Sequence, residues 1–269
     1  MVLLRQVVRF VVMLLWLPVI GLISLPFKLG GWNSIRRVCF CSRIWGRGIA
    51  RIMNIRITVH GDISQFRGGL IVSNHQGYLD IFSHASVFPI RFAPKSDIRS
   101  WPLLGWYLGI SRPIWVNRTS RQKSSELLHQ FCETMEHHIP LIIYPEGTST
   151  DGKHGILPFK STPFEAIATT NLPLLPIITV YDDPPDGRSL AWFGKDALVP
   201  HIVRVFGYPE IRVNIYVLPV IYPEGRSRKE LAAHVHEVME RRYWEIMAER
   251  GFLPPEKAQE ITPAEASAA

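Results

Sequence analysis

The chain of 269 residues has little cysteine, only Cys39, Cys41 and Cys132. That excludes a disulfide framework and implies thiols in a reducing compartment. Metal-ligand spacing is missing too. The ten histidines contain no His-x-x-x-His pair, and Cys39-x-Cys41 has no Cys/His cluster beside it. No metal site is therefore expected. No Gly-x-Ser-x-Gly elbow occurs, which removes the usual route to a serine nucleophile. Internal repeats and long low-complexity runs are absent. So are helix-turn-helix, zinc-finger and RNP-type aromatic patterns, and no nucleic-acid partner is expected.

What the chain does have is positive charge. Thirty Lys+Arg against 23 Asp+Glu give a formal net charge of +7. Such an excess suits an anionic partner: a membrane surface, a phosphorylated substrate or an acidic carrier protein. The charge is concentrated beside a long apolar run. Residues 10–27 carry no charge and are flanked by Arg5 and Arg9 on one side and Lys28 on the other. A helix needs about 20 residues to cross a bilayer. Pro18, Gly21 and Pro26 interrupt the run, so a half-inserted or kinked hairpin competes with a straight span. A cleaved signal peptide fits the Arg-then-apolar order, but no Ala-x-Ala-like site follows, which favours a retained anchor. A buried core helix fits less well, because the run is apolar on all faces.

The next segment, 34–53, places Arg43, Arg47 and Arg51 at i, i+4 and i+8, with Phe40, Ile44, Trp45 and Ile49 mostly elsewhere. A basic, Trp-containing amphipathic helix reads as an interfacial element, or as a surface helix with a solvated charge row. More Lys/Arg follow the apolar run than precede it, which places the rest of the chain in the cytoplasm. The expected organisation is a membrane-anchoring two-helix segment over 1–53, an α/β domain over 54–251 and a disordered Pro/Ala/Glu-rich tail over 252–269.

From Ile55 the pattern is globular. Strands are expected at 55–61, 69–73, 90–94, 114–118, 140–144, 174–181, 204–206 and 211–220. Helices are expected at 81–88, 101–109, 120–138 and 162–170. Ser227-x-x-Glu230 is a capping box opening a last helix that stops at Gly251. The alternation predicts an α/β fold with a mixed, largely parallel sheet flanked by helices. Sites in such sheets lie beyond the carboxyl ends of strands. Three polar clusters fall there: Asn74-His75, Asn117-Arg118 and Glu146-Gly147-Thr148.

His75 and Asp80 stand five residues apart at a strand-to-helix turn. On a regular helix that spacing rotates them by about 140°, so they would not share a face. They meet only if His75 precedes the helix and Asp80 lies in its first turn, a bend that Gly77 permits. A carboxylate on one ring nitrogen would leave the other as a base for an alcohol proton. Equally, Asp80 would simply cap the helix and His75 bond the backbone. On spacing alone both readings stand. Gly147 lets backbone amides approach an anion, or belongs to an ordinary turn. Lys95 and Arg118 suit a phosphate, or face solvent.

Asn74-His75-x4-Asp80, Lys95 with Ile114-Trp115-Val116-Asn117-Arg118, Tyr144-Pro145-Glu146-Gly147-Thr148 and Leu175-Pro176-Ile177 occur in the order and spacing of four motif blocks. With them the chain resembles the glycerolipid acyltransferases typified by 1-acyl-glycerol-3-phosphate acyltransferase, over roughly residues 55–221. The N-terminus is similar to the two-helix membrane motif of bacterial members. The resemblance implies His75 as general base, Asp80 orienting it, and direct attack of a lysolipid hydroxyl on the thioester of acyl-CoA or acyl-carrier protein. It implies Arg118 and Lys95 on the acceptor phosphate, Glu146, Gly147 and Thr148 near the head group, and Pro176 in the acyl-chain block. No cofactor is implied, and the place of action would be the cytoplasmic face of the cell inner membrane, among membrane lipids. The acceptor implied first is 1-acyl-glycerol-3-phosphate. The third block departs from the family: Ser149 stands where Arg is usual. The stretch through Leu157-Pro158-Phe159-Lys160 is similar to subfamilies acting on lyso-ornithine lipid or lysophosphatidylcholine, with Lys160 a substitute cation. A thioesterase or lipid hydrolase using His75 with water is the other enzymatic reading, and an inert membrane-anchored binding module the non-enzymatic one.

Overall fold

The computed structural model describes residues 1–64, 66–102, 104–116 and 121–252, with only the backbone of 121–124. The expected strand end at Asn117-Arg118 and, beyond Phe252, the expected tail lie outside these residues.

Six strands form one sheet: β1 (Ile55–His60), β2 (Leu70–Ser73), β3 (Arg91–Phe92), β4 (Leu141–Ile143), β5 (Leu174–Tyr181) and β6 (Ile211–Val217), in the order β1-β6-β5-β2-β4-β3. β2 pairs in parallel with both β4 and β5, and β3 with β4. β1 and β6 are parallel to each other, and β6 runs antiparallel to β5. The sheet is thus mixed and largely parallel, as expected. Its central strands β2, β4 and β5 are buried along their whole length, which is why they read as unbroken apolar runs. Edge strand β1 alternates instead.

Successive β2 residues point to opposite faces. Leu70 and Val72 join Phe131, Met135, Phe164, Met239 and Tyr243 in one core, and Ile71 joins Ile49, Met53, Leu79, Ile177 and Val205 in the other. The first core is closed by helices α5 (Arg121–Glu136), α6 (Glu165–Thr170) and α8 (Arg228–Glu249), and the second by α2 (Trp32–Met53), α3 (Tyr78–Val87) and α7 (Leu198–Gly207). The capping box of α8 forms as expected, with Glu230 N–H on Ser227 Oγ at 3.4 Å and Ser227 N–H on Glu230 Oε2 at 2.8 Å.

Two strand expectations are corrected. Residues 204–206 belong to α7, where His201, Val205 and Phe206 are buried while Val199 and Val203 are exposed. That one-sided helical burial is invisible in a three-residue window. The segment 114–116 makes an isolated parallel bridge, Lys95 with Val116, instead of a full strand.

The N-terminal helices have separate roles. α1 (Val2–Ser24) continues through Pro18 without a break. With the turn that follows it, to Phe27, it is long and apolar enough to cross a membrane. It also lies along the domain. Near its start Arg9 donates to the carbonyls of Phe206 at 3.0 Å and Tyr208 at 2.5 Å. At its middle Trp16 Nε1 donates to Trp45 O at 3.3 Å, and near its end Gly21 faces Tyr107 and Ile110 of α4 (Leu104–Ile110). α2 crosses α3 so closely that a Cβ at Gly46 would stand 2.7 Å from Ser86 N. The apolar side of α2, read from sequence as facing a membrane interface, puts Ile49, Ala50 and Met53 into the domain core. Arg47 of its basic row donates to Ser86 O.

Candidate active site

The parallel strands β2, β3, β4 and β5 deliver their carboxyl ends to one edge of the sheet. After β2 the chain turns through Asn74, His75, Gln76 and Gly77 into α3. Asn74 pins this turn to β5. Its Nδ2 donates to Thr179 O at 2.9 Å, and its Oδ1 accepts from Thr179 N–H at 2.7 Å. Gly77 sits at φ +143°, a region unfavourable to other residues, and a Cβ there would press on Trp192 N at 3.0 Å.

His75 therefore precedes α3, and Asp80 lies in its first turn. The two meet: His75 Nδ1 lies 2.8 Å from Asp80 Oδ2. The same oxygen accepts from Gln76 N–H at 2.6 Å and Gly77 N–H at 3.1 Å. Asp80 consequently caps the helix and orients the histidine with one atom. The contact and the cap coexist, and the His75 ring bonds Asp80, not the backbone. Tyr181, at the end of β5, donates its hydroxyl to Asp80 Oδ1. Asp80 is completely buried. Burial pushes its pKa up, but the hydrogen bonds from His75 and Tyr181 outweigh it and hold the carboxyl below its ordinary range. An ionised Asp80 requires the Nδ1–H tautomer of His75 and leaves Nε2 with its lone pair. The His75 side chain is 22% exposed, and Nε2 makes no hydrogen bond to another described residue.

The ring of His75 stacks on Tyr144, with centroids 4.2 Å apart. Tyr144 is in turn held by His84, whose Nδ1 is 2.9 Å from the Tyr144 hydroxyl and whose Nε2 is 2.8 Å from Thr179 Oγ1. Burial pushes His84 down to about 4, against the upward pull of Asp80. His84 is thus neutral, with one ring nitrogen donating and the other accepting, and it buttresses the site as a polar strut.

The β4 turn meets the β2 turn through Glu146. Its Oε1 accepts from His75 N–H at 2.7 Å and its Oε2 from Leu157 N–H at 2.9 Å. Burial pushes its pKa up to about 7 despite those two donors. Thr150 N–H closes the other side of His75 by donating to its carbonyl at 2.9 Å. Gly147 has φ +73°, and the Lys160 ammonium fills the space where a Cβ would stand. Thr148 and Lys160 are exposed. Ser149 Oγ donates to Trp192 O at 2.7 Å, and Trp192 N–H donates to Gln76 O at 2.8 Å. The loop before α7 is thereby stitched to both turns.

Of the residues expected from sequence, the structure brings His75, Asp80 and Glu146 into one hydrogen-bonded unit, with Gly147, Thr148 and Lys160 on its rim. Lys95 lies beyond the end of β3, exposed and ion-paired with Asp97. No described contact joins it to the dyad. Arg118 lies outside the described residues. Sequence reasoning missed Tyr181 and His84. Tyr181 had one usable signal, a polar residue closing a buried strand at the site's edge of the sheet.

The arrangement offers an oriented base and a fixed carboxylate, with no serine nucleophile on them among the described residues. That suits proton removal from a bound hydroxyl. The family model described as Acyltransferase matches residues 56–180. The chain is similar to a lyso-ornithine lipid O-acyltransferase of Rhodobacter capsulatus, 31% identical over 68% of each chain. It is also similar to a 1-acyl-sn-glycerol-3-phosphate acyltransferase of Neisseria meningitidis, 30% identical over 71% of this chain and 76% of that one. The crystal structure of the 1-acyl-sn-glycerophosphate acyltransferase of Thermotoga maritima shares the fold, with a TM-score of 0.68 at 22% identity over 91% of this chain and 96% of that one.

Proposed function

The chain belongs to the acyltransferase family, and from that premise we propose that it moves a fatty acyl group from a thioester, acyl-CoA or acyl-carrier protein, to the free hydroxyl of a lysolipid. His75 Nε2 removes the hydroxyl proton as the oxygen attacks the thioester carbonyl. The tetrahedral intermediate expels the thiolate, which takes the proton back from the imidazolium. An ester and a free thiol result. Asp80 keeps the imidazole in the required tautomer and faces the imidazolium as it forms. Glu146 acts through the backbone of His75, since both its oxygens are occupied by main-chain amides. Gly147, Thr148 and Lys160 line the acceptor side, with Lys95 and Arg118 as further cations for an anionic head group. The observation that supports this reading most is the 2.8 Å His75–Asp80 contact with Nε2 left over.

The acceptor read first from sequence is 1-acyl-glycerol-3-phosphate, with Lys160 over Gly147 as the phosphate cation. Ser149 favours a second acceptor, lyso-ornithine lipid, which is built on an amino acid instead of a phosphate. Its hydroxyl is spent on Trp192 O, so the position offers no guanidinium fork for phosphate. Purified protein given lysophosphatidate, lyso-ornithine lipid and lysophosphatidylcholine with each donor, with products weighed by mass spectrometry, separates them. Acylation of none of the three would reject the proposal.

α1 supports a place of action at a membrane, and we take it to be the inner membrane. A helix held to the domain near both ends leaves the domain no room to sit wholly on one side of a bilayer the helix crosses. α1 reads as half-inserted, its outer face in the cytoplasmic leaflet of the inner membrane. Deleting residues 1–27 should release the protein from vesicles, whereas continued sedimentation with vesicles would contradict the anchor. A cut at residue 53 is unsuitable, because α2 supplies core residues.

A further inference from the structure

We propose that Tyr181 is the third member of the proton-transfer unit, a positioning residue that acts through Asp80 on His75. The proposal rests on the acyl transfer by His75 argued above.

The two oxygens of Asp80 are held by different parts of the fold. Oδ2 is saturated from the α3 side by His75, Gln76 N–H and Gly77 N–H. Oδ1 takes only the Tyr181 hydroxyl among the described residues. That phenol comes from β5, where Tyr181 pairs with Val213 of β6 and is buried. With one oxygen fixed by the helix turn and the other by the sheet, the carboxylate plane cannot rotate. The direction of Nδ1–H is then set, and with it the aim of Nε2. A helix cap alone would leave Oδ1 free to seek another donor.

Tyr181 is also a permanent donor. Burial and the negative charge of Asp80 push its phenol well above the ordinary value, so it keeps its proton throughout the working range. The titratable groups facing Asp80 are His75 from the β2 turn, His84 from α3, Tyr144 after β4 and Tyr181 from β5, with Tyr78 beside Tyr181 and Glu146 beside His75. Of these, Tyr181 is the one side chain besides His75 that hydrogen-bonds the carboxylate. Deleting its hydroxyl removes a donor to the anion and lets the dyad hold a proton to higher pH.

The test compares wild type, Tyr181→Phe, Asp80→Asn, the double variant and His75→Ala in a thiol-release assay with a saturating lysolipid acceptor. Tyr181→Phe is expected to lower kcat by about 10- to 100-fold, the range of a hydrogen bond to a charged group, with both KM values within about twofold. The acid limb of its kcat/KM profile should move up by about one pH unit. In the Asp80→Asn background the same change should cost less than about twofold, because there is no anion left to hold. A wild-type kcat and acid limb in Tyr181→Phe, or an equal loss in both backgrounds, would overturn the proposal while His75→Ala stays inactive. Transfer that survives His75→Ala would overturn the functional reading and this proposal together. If the phenyl variant fails to fold, 3-fluorotyrosine at position 181 serves instead. As a stronger donor it should move the acid limb to lower pH, and an unmoved limb would overturn the proposal.

Discussion

The β2 turn and the β4 turn stand side by side at one edge of the sheet and are built in opposite ways. In the β2 turn the polar side chains around His75 face inward and are partnered, Asn74 on Thr179, Gln76 on Thr179 O and Asp80 on four donors, and among the described residues of the turn His75 alone keeps a free ring nitrogen at the surface. In the β4 turn Glu146 faces inward and Ser149 and Thr150 bond main-chain carbonyls, while Thr148 and Lys160 remain exposed. On the proposed reading, the difference separates two tasks. Proton transfer needs a base held in one geometry, which buried, satisfied hydrogen bonds supply. Recognition of a head group needs free donors and cations at the rim. Changes in the first turn should therefore act on kcat and changes in the second on acceptor KM.

The largest expected effect is at the centre of the first turn. His75→Ala should reduce transfer by about 10²- to 10⁴-fold, the usual worth of a general base, with an unchanged melting temperature. Activity within about tenfold of wild type would break the division between the turns.

In the second turn, Lys160→Ala should raise the acceptor KM about tenfold for a phosphate-bearing lysolipid, the order of one charge-assisted contact. It should leave kcat near wild type. An unchanged KM for every acceptor would remove Lys160 from the rim.

The smallest effect on transfer is expected at Glu146, which joins the turns, and its signature is one of stability. Its folded pKa of about 7 lies above the ordinary 4.5. Between those values the native state holds a proton that the unfolded chain has lost, so stability falls as pH rises through that window and is flat above it. The full change is up to about 3 kcal/mol. Glu146→Gln should abolish this slope in melting temperature against pH. Below that window it should also be less stable than wild type by about 1–3 kcal/mol, because an amide nitrogen then faces one of two N–H donors, and the gap should close as wild type loses its proton. A Gln variant that keeps the slope would assign it to another group.

Much of this edge was legible in the chain. β2 and β5 were visible as apolar runs because both their faces are covered, and α8 announced itself by its capping box. Gly77, read as a bend, made the His75–Asp80 contact possible, but spacing left a plain helix cap equally open and only the family resemblance implied the dyad. Tyr181 was not legible, because its link to Asp80 spans 101 residues and depends on strand order, which periodicity does not encode. His84 was hidden for the same reason: its partners, Tyr144 and Thr179, lie on β4's turn and on β5. The apolar side of α2 misled in a different way. An amphipathic pattern states that a face is apolar, not whether lipid or protein covers it. The acceptor remained open in the sequence because position 149 withholds the family's arginine without naming a replacement.

The central claim is direct transfer, from thioester to lysolipid hydroxyl, by a base with no covalent acyl-enzyme. Thiol release measured with and without acceptor, alongside the mass of the acylated product, tests it most directly. One thiol per acylated lysolipid, with release near background when acceptor is omitted, is the expected result. A stoichiometric burst of thiol or steady turnover in the absence of acceptor would contradict it, the first by revealing an acyl-enzyme and the second a thioesterase.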